Sequence, residues 1–584
     1  MAERCSPAGA ARLRFVLSGA LLAFAGASPA DTLAPAHPPE RASVAQWADG
    51  ARLFEGLGEF HRAITTSSPL AQQYFDQGMR WLWAFNHDEA TRSFAEAAQL
   101  DPGCASCYWG VALALGPNYN FGQMNAARAQ VAWQALRQAQ ANAPHAASVE
   151  QALIGALAAR YPTAQPIGPA NLNAVLTAYA SAMLEVAQHF PDDLDVQTLC
   201  AEAQMNIHAW KLWTADGAPV AGTLEIQARL ESVLSRDPTH PGANHYYIHV
   251  MEASPHPQKA LPSAVRLRGM MPSAGHLEHM PAHILQRVGR YEEAAEANRR
   301  GAAADEAYLA ATAPPGDYAM YLSHNYSFLA YSLAMEGRKE ETLAAVQSLT
   351  ARAPAQMALA MGGSGWNLTQ QYAALVRFGL WDEMIALGPP DARIEGLTAG
   401  YLYGRGVALA ARGRLDEARG ELAELAALAS ALPADQDFLR GILAVAQPIV
   451  AARIAASERS REEAVRLLKE AVAAEDRLAY DEPADWFFPA RHLLGAQLLI
   501  AGHPAQAQQV YREDLQRNPA NGWALYGLAA ALRAQGKRQQ AAQVEAELAQ
   551  AWQHADVKLE ASAFWFDGPD TMSCECQRTS SVHR

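Results

Sequence analysis

AQQYFDQGMRWLWAFNHDEATRSFAEAAQLDP, residues 71–102, reads as two helices joined by a tight turn. Its apolar residues recur at helical spacing rather than in alternation. Gly78 and Ala90 are small where two paired helices must approach, and Trp81 and Phe94 are large enough to fill the gap between them. Pro102 stops the second helix, because proline has no amide proton to continue it. Runs of alanine and leucine at the same spacing fill most of the 584 residues, and strand-like alternation bounded by turn signals is scarce. The chain is therefore predicted to be all-α.

Gly78, Trp81, Ala90, Phe94, Ala97 and Pro102 fall at the signature positions of the tetratricopeptide repeat, a 34-residue helix-turn-helix unit, and the stretch resembles that repeat closely. The resemblance implies helix pairs stacked into a right-handed superhelix with one concave groove. The turn before the second helix sets the frame elsewhere. His256-Pro-Gln-Lys-Ala260 gives a unit starting at Pro241, Gly289-Arg-Tyr-Glu-Glu-Ala294 one at Gly275, and Gly337-Arg-Lys-Glu-Glu-Thr342 one at Ser323. Turns at Gly379, Gly413 and Ser460 mark three more, and those at Gly502 and Gly536 give starts at Phe488 and Gly522. Roughly nine or ten units are expected, with degenerate ones over 105–240. The layout is a signal peptide (1–30), a leader with a short helix (31–68), N-terminal units (69–240), histidine-rich central units (241–356), C-terminal units (357–556) and a tail (557–584).

In such repeats, positions 2, 5, 9 and 12 of the first helix line the groove. The frame places Gly242, His245, His249 and Glu252 there, then His276, His279, His283 and Gln286, then His324, Ser327, Tyr331 and Ala334. Six of these positions are histidine, where 18 histidines in 584 residues would supply fewer than one. Each of the first two helices carries its set on one face. Neutral imidazole binds zinc, copper, iron or nickel, and a carboxylate completes many such sites. His245, His249, Glu252, His276, His279, His283 and His324 are the predicted ligands of a transition metal, and their number leaves room for two ions. The alternative is a polar groove that takes a partner protein or extended peptide and no metal. His492 also falls at a groove position but lies farther along. His87, His256 and His503 sit in turns between helices and are not counted as ligands.

A net charge of −14 with no compensating Lys/Arg stripe argues against nucleic acid as partner. Arg12 and Arg14 precede an apolar run over 15–24 and small residues over 25–30, the order of an export signal cut after Ala27 or Ala30. That places the mature chain in the periplasm or outside the cell, with no integral membrane segment left after cleavage. Of the remaining cysteines, Cys104-Ala-Ser-Cys107 precedes Tyr108 rather than histidine, which rules out c-type haem attachment there and leaves a local disulfide or inert thiols. Cys574-Glu-Cys576 lies in the polar tail.

Over most of its length the chain also resembles a group of exported bacterial tetratricopeptide proteins. The likeness is carried by Ile64-Thr-Thr-Ser, Tyr74-Phe-Asp-Gln-Gly78, Phe85-Asn-His87, Leu115-Gly-Pro-Asn118, the run 245–252, Gly275-His-Leu-Glu-His-Met-Pro-Ala-His283 and Asp485-Trp-Phe-Phe488. It implies fold and export and names no reaction. Neither His-Glu-x-x-His nor Gly-x-Ser-x-Gly occurs, and Met361-Gly-Gly-Ser-Gly365 lacks the Lys and Ser/Thr of a phosphate loop. Phe85-Asn-His87 and Leu115-Gly-Pro-Asn118 are read as helix caps, and Trp486, Phe487 and Phe488 as packing. The expected function is a metal-binding groove whose open coordination positions suit an oxidative or hydrolytic reaction.

Overall fold

The two helices expected around the opening stretch are Pro69–Trp83 and His87–Leu100. Ser68 Oγ accepts the amide of Ala71 at the start of the first, and Asn86 Oδ1 accepts that of Glu89 at the start of the second. Phe94 packs into a notch made by Gly78 of its own pair and Gly110 of the next helix, where any Cβ would strike the ring. Tyr511 uses Gly495 and Gly527 in the same way near the other end. One aromatic ring between two glycines ties a pair together and stacks it on its neighbour.

This computed structural model describes residues 41–312, 318–352, 365–433 and 436–564. The expected signal, the Pro314-Pro315-Gly316 insertion, residues 361–364 and the tail cysteines lie outside them. Among the described residues there is no β-strand. Asp216-Gly217 turns the chain between Trp213 and Pro219, which form one isolated bridge, and Met124 and Ile167 form another. The helices pair into a tetratricopeptide-type stack with twelve pairs among the described residues, more than the nine or ten expected. The difference lies in 105–240. That stretch holds three regular pairs, Ala105–Ala114 with Ala126–Asn142, Ser148–Ala158 with Leu172–His189, and Leu194–Met205 with Thr223–Arg236. Their long connectors break the 34-residue spacing without breaking the pairing.

The leader is wired to the repeats. Arg62 forms ion pairs with Asp193 and Asp195, Thr65 donates to Glu150, and Thr66 donates to Asp101. Cys104 and Cys107 are joined in a local disulfide. Asp437–Ser457 is long and apolar enough to cross a membrane. Its apolar face, including Leu439, Ile442, Leu443, Val445, Ile449 and Val450, is buried in the C-terminal core, which is what a core helix does.

The array is not one-dimensional. Positions expected to line an open groove are covered by distant parts of the chain. Gly242 lies against Trp83 of the first pair. Tyr331 donates to Asn518 Oδ1 at 3.4 Å, and the Ala334 carbonyl accepts Trp523 Nε1 at 2.8 Å. Asp556 accepts the amides of Lys339 and Glu340, and Tyr308 donates to Glu89. First and last pairs both close onto the central ones, and the histidines lie underneath.

Candidate metal centre

Four segments meet at the histidines. Every residue of Pro241–Met251 is buried, so this helix has no solvent face, and it carries His245 and His249, with Glu252 just past its end. Gly275–His279 and Pro281–Arg287 carry His276, His279 and His283. Met280 between them keeps helical angles, and Pro281 needs no amide bond at the start of the second piece. Ala319–Met335 brings His324. The loop after Glu475 brings Glu482.

All seven predicted residues come together, but the grouping differs from the one helical faces suggest. Ligand atoms of His245, His249 and His276 lie within 4.8 Å of one another; so do those of His279, His283 and His324, and those of Glu252, His283 and Glu482. Each set mixes segments: residues 245–249 with 276, residues 279–283 with 324, and residues 252 and 283 with 482. The expectation of an exposed groove is corrected: the first five histidines and both carboxylates are 0–3% exposed, and only His324 is partly open. Phe85 is the hub of the covering rings, with its centroid 4.4, 5.6 and 5.5 Å from those of His245, His249 and His276. Tyr119 and Trp210 pack on His249, Tyr321 on His276, and Phe328 on His279 and His283.

The outer ring nitrogens fix the proton positions. His245 Nδ1 donates to the Trp83 carbonyl at 2.6 Å and His279 Nδ1 to Asn298 Oδ1 at 2.6 Å. Asn298 Nδ2 donates to the Ala294 carbonyl, which orients its amide. His249 Nδ1 donates to Glu252 Oε1 at 3.1 Å. A neutral ring that donates from Nδ1 leaves its Nε2 lone pair free, and this outer hydrogen bond is what holds metal-ligating histidines in place. Nε2 of His245 and of His249 finds no partner, and neither does either ring nitrogen of His276. His279 Nε2 faces His283 Nε2 at 2.8 Å, while His283 Nδ1 lies 3.0 Å from Glu252 and 2.7 Å from Glu482.

Burial pushes the rings of His245, His276 and His279 well below the usual histidine range, and neighbouring imidazoles add to the effect. Burial likewise lowers His324 to about 3. For His283 burial is outweighed by Glu252 and Glu482, which push it up to about 10. Burial raises Glu482, whereas His249 and His283 overcome burial at Glu252 and hold it down. Most of the rings are thus neutral, the form that binds metal.

Each unpartnered buried nitrogen costs roughly 1–3 kcal/mol, so the four here rival the roughly 5–15 kcal/mol of net stability a protein commands. An ion bound at about 2.0–2.1 Å from Nε2 of His245, Nε2 of His249 and one nitrogen of His276 would satisfy three of them, with ligand atoms some 3.4 Å apart. The residues fit a transition metal.

Two participants went unread in the sequence. Glu482 lies in a loop with no periodicity, beside the Asp485-Trp-Phe-Phe488 motif that only the resemblance picked out. Phe85 was read as part of a cap. His503 pairs with Glu462 at an exposed turn, and His492 is held by Asp514 and Arg377 outside the cluster. Trp486 and Phe487 stack with Trp366, in line with a packing role.

The chain matches no protein-family model and no curated protein. Solved structures to which it is similar include the human IFIT1 dimer with m7Gppp-AAAA, at 12% identity over 76% of this chain and 90% of that one with a TM-score of 0.32. Yeast Tom70 matches at 13% identity over 82% and 92%, with a TM-score of 0.28. With likenesses this loose, the fold rests on the helix pairs themselves.

Proposed function

We propose that this chain is an exported helical-repeat protein that holds a transition metal, with room for two ions, at His245, His249, His276, His279, His283 and His324. Glu252 and Glu482 stand as the neighbouring carboxylates. The observation that carries this reading is the convergence of ring nitrogens from His245, His249 and His276, with Nδ1 of His245 and His249 tied to an oxygen acceptor and Nε2 of both, like either nitrogen of His276, left without a partner. Copper, zinc and iron all suit imidazole with oxygen beside it. When bound, an ion with three imidazole ligands keeps a coordination position for water or substrate. The chain's part is to hold neutral rings at fixed angles, to exclude water with Phe85, Tyr119 and Phe328, and to keep a proton between His283 and Glu482.

Reconstitution of the purified protein with zinc, copper, iron and nickel in turn, followed by elemental analysis, tests this. At least one equivalent of one metal is expected in the wild type, and none in a His276→Gln/His279→Gln double variant. Sub-stoichiometric metal in the wild type overturns the reading. The scaffold alternative predicts no metal and a partner whose binding ignores chelators. Since the central groove positions are covered by the chain itself, that partner would use another surface. For export, N-terminal sequencing should find a start near Ser28 or Asp31, and an intact Met1 in a cytoplasmic fraction would refute it.

A further inference from the structure

A cavity of about 670 Å³ lies against the histidine cluster, inside the range of roughly 300–1,000 Å³ typical of small-molecule sites. Two sequence stretches meet at it: Phe85-Asn-His87 and Leu115-Gly-Pro-Asn118 both line it, although caps alone would give them no reason to share a wall. The rings of Phe85, Phe121, Tyr318 and Tyr321 also line it. Phe85 and Tyr321 face the cavity and pack on the imidazoles as well. Tyr321 lies 4.7 Å from His276 between ring centroids, and Phe85 touches three of the rings. A molecule in the cavity is therefore one ring's thickness from His276.

We infer that this cavity binds a small uncharged aromatic compound bearing a hydroxyl group and presents it to the histidine centre. The aromatic walls offer faces for offset or edge-on packing with a ring. The amide nitrogen of Asn118 and the amide of Gln123 on the lining supply hydrogen bonds for a hydroxyl, while the Asn118 oxygen and the Asn171 amide are held by the surrounding loops. Charge selects against an ion. Among the described lining residues Asp88 and Arg128 are the charged ones, and they pair with each other at 2.8 Å. A charged ligand would give up its hydration without gaining a counter-charge. Binding in the cavity stands on this lining alone; presentation to the metal rests on the function proposed above.

Phenol and benzyl alcohol, with benzoate as the charged control, are the probes, titrated into the full-length protein by calorimetry and saturation-transfer NMR. Saturable binding of both neutral compounds at one equivalent is expected, with benzoate weaker by about tenfold or more, a difference of about 1.4 kcal/mol. Gly168 lines the cavity, and a Cβ placed there meets nothing within 4 Å. Gly168→Trp should therefore weaken phenol by about tenfold or more without disturbing the fold, as checked by thermal melting. Gly168→Leu serves if the tryptophan variant does not fold. No saturable binding of either neutral compound, equal binding of benzoate, or unchanged affinity in the Gly168 variants overturns the inference. With copper(II) loaded, strong relaxation of the phenol protons is expected; binding without relaxation overturns presentation to the metal. Elemental analysis reports on the metal reading separately, so a protein with metal and no phenol binding fails only the pocket.

Discussion

Phe85 holds φ +56° at the turn where six other repeats place glycine with φ between +67° and +84°, a conformation that costs a residue with a side chain roughly 1–2 kcal/mol. The ring is kept because it covers three imidazoles at once. Phe85→Gly should therefore be more stable than Phe85→Ala by about 1 kcal/mol, reversing the usual order, while both lose a few kcal/mol of ring packing. Urea denaturation of the pair checks this, and an alanine variant as stable as the glycine one would mean the turn carries no strain. A second outcome concerns pH in the metal-free protein. His245, His276, His279 and His324 have folded values below the unfolded histidine value, so between the two the unfolded chain binds more protons. Stability should fall as pH drops below about 6.5, by up to about 1.4 kcal/mol per pH unit for each ring. His283 runs the other way, its contribution present below about 6.5 and lost as pH rises through about 10. A melting temperature equal at pH 7.5 and 5.5 after chelation would count against neutral buried rings. Loss of metal should likewise set in below pH 6 rather than at it, because burial has already moved the rings down. Seven of the eight side chains in the three sets were legible from register, since helical phase fixes which histidines share a face. Glu482 was not, because a loop residue has no phase.

Glycine in left-handed conformation marks six of the twelve turns within pairs, and these six lie where the sequence frame put them. That is why the central and C-terminal units were legible: an inter-helix turn needs a residue free of Cβ strain, and glycine announces it. The pairs over 105–240 announce themselves less because their connectors vary in length. Glycines inside helices have another task, which substitutions separate. Gly413 has open space around it, so Gly413→Ala should cost only about 1 kcal/mol of backbone strain and leave metal content unchanged. Gly242 lies against the Trp83 ring. Gly242→Ala should cost about 1–3 kcal/mol by overpacking and should also lower metal content, since it pushes away the segment whose Trp83 carbonyl orients His245. Denaturation and elemental analysis of the two variants decide; equal metal content in both would mean the Trp83 contact does not position the ring.

A stack in which each pair touched only its neighbours would lose stability at a cut end and little elsewhere. Here Asn518, Trp523 and Asp556 reach back to residues 331–340. Removal of the chain from Phe488 onward should therefore reduce metal binding as well as thermal stability, although every predicted ligand and Glu482 remain. Full metal content in a folded truncated protein would show that the C-terminal pairs serve only as a cap. These closures were not legible in the sequence, because the signature describes packing within and between adjacent units and says nothing about which surfaces meet after several turns. The placement of Glu482 has a further consequence, in time rather than space. The six histidines and Glu252 emerge from the ribosome well before it, and at about 5–20 residues per second roughly 10–50 s of synthesis separate His245 from Glu482. A nascent chain thus carries the six clustered imidazoles for a long interval with that carboxylate still missing, and the cluster is completed only when more than four-fifths of the protein has been made.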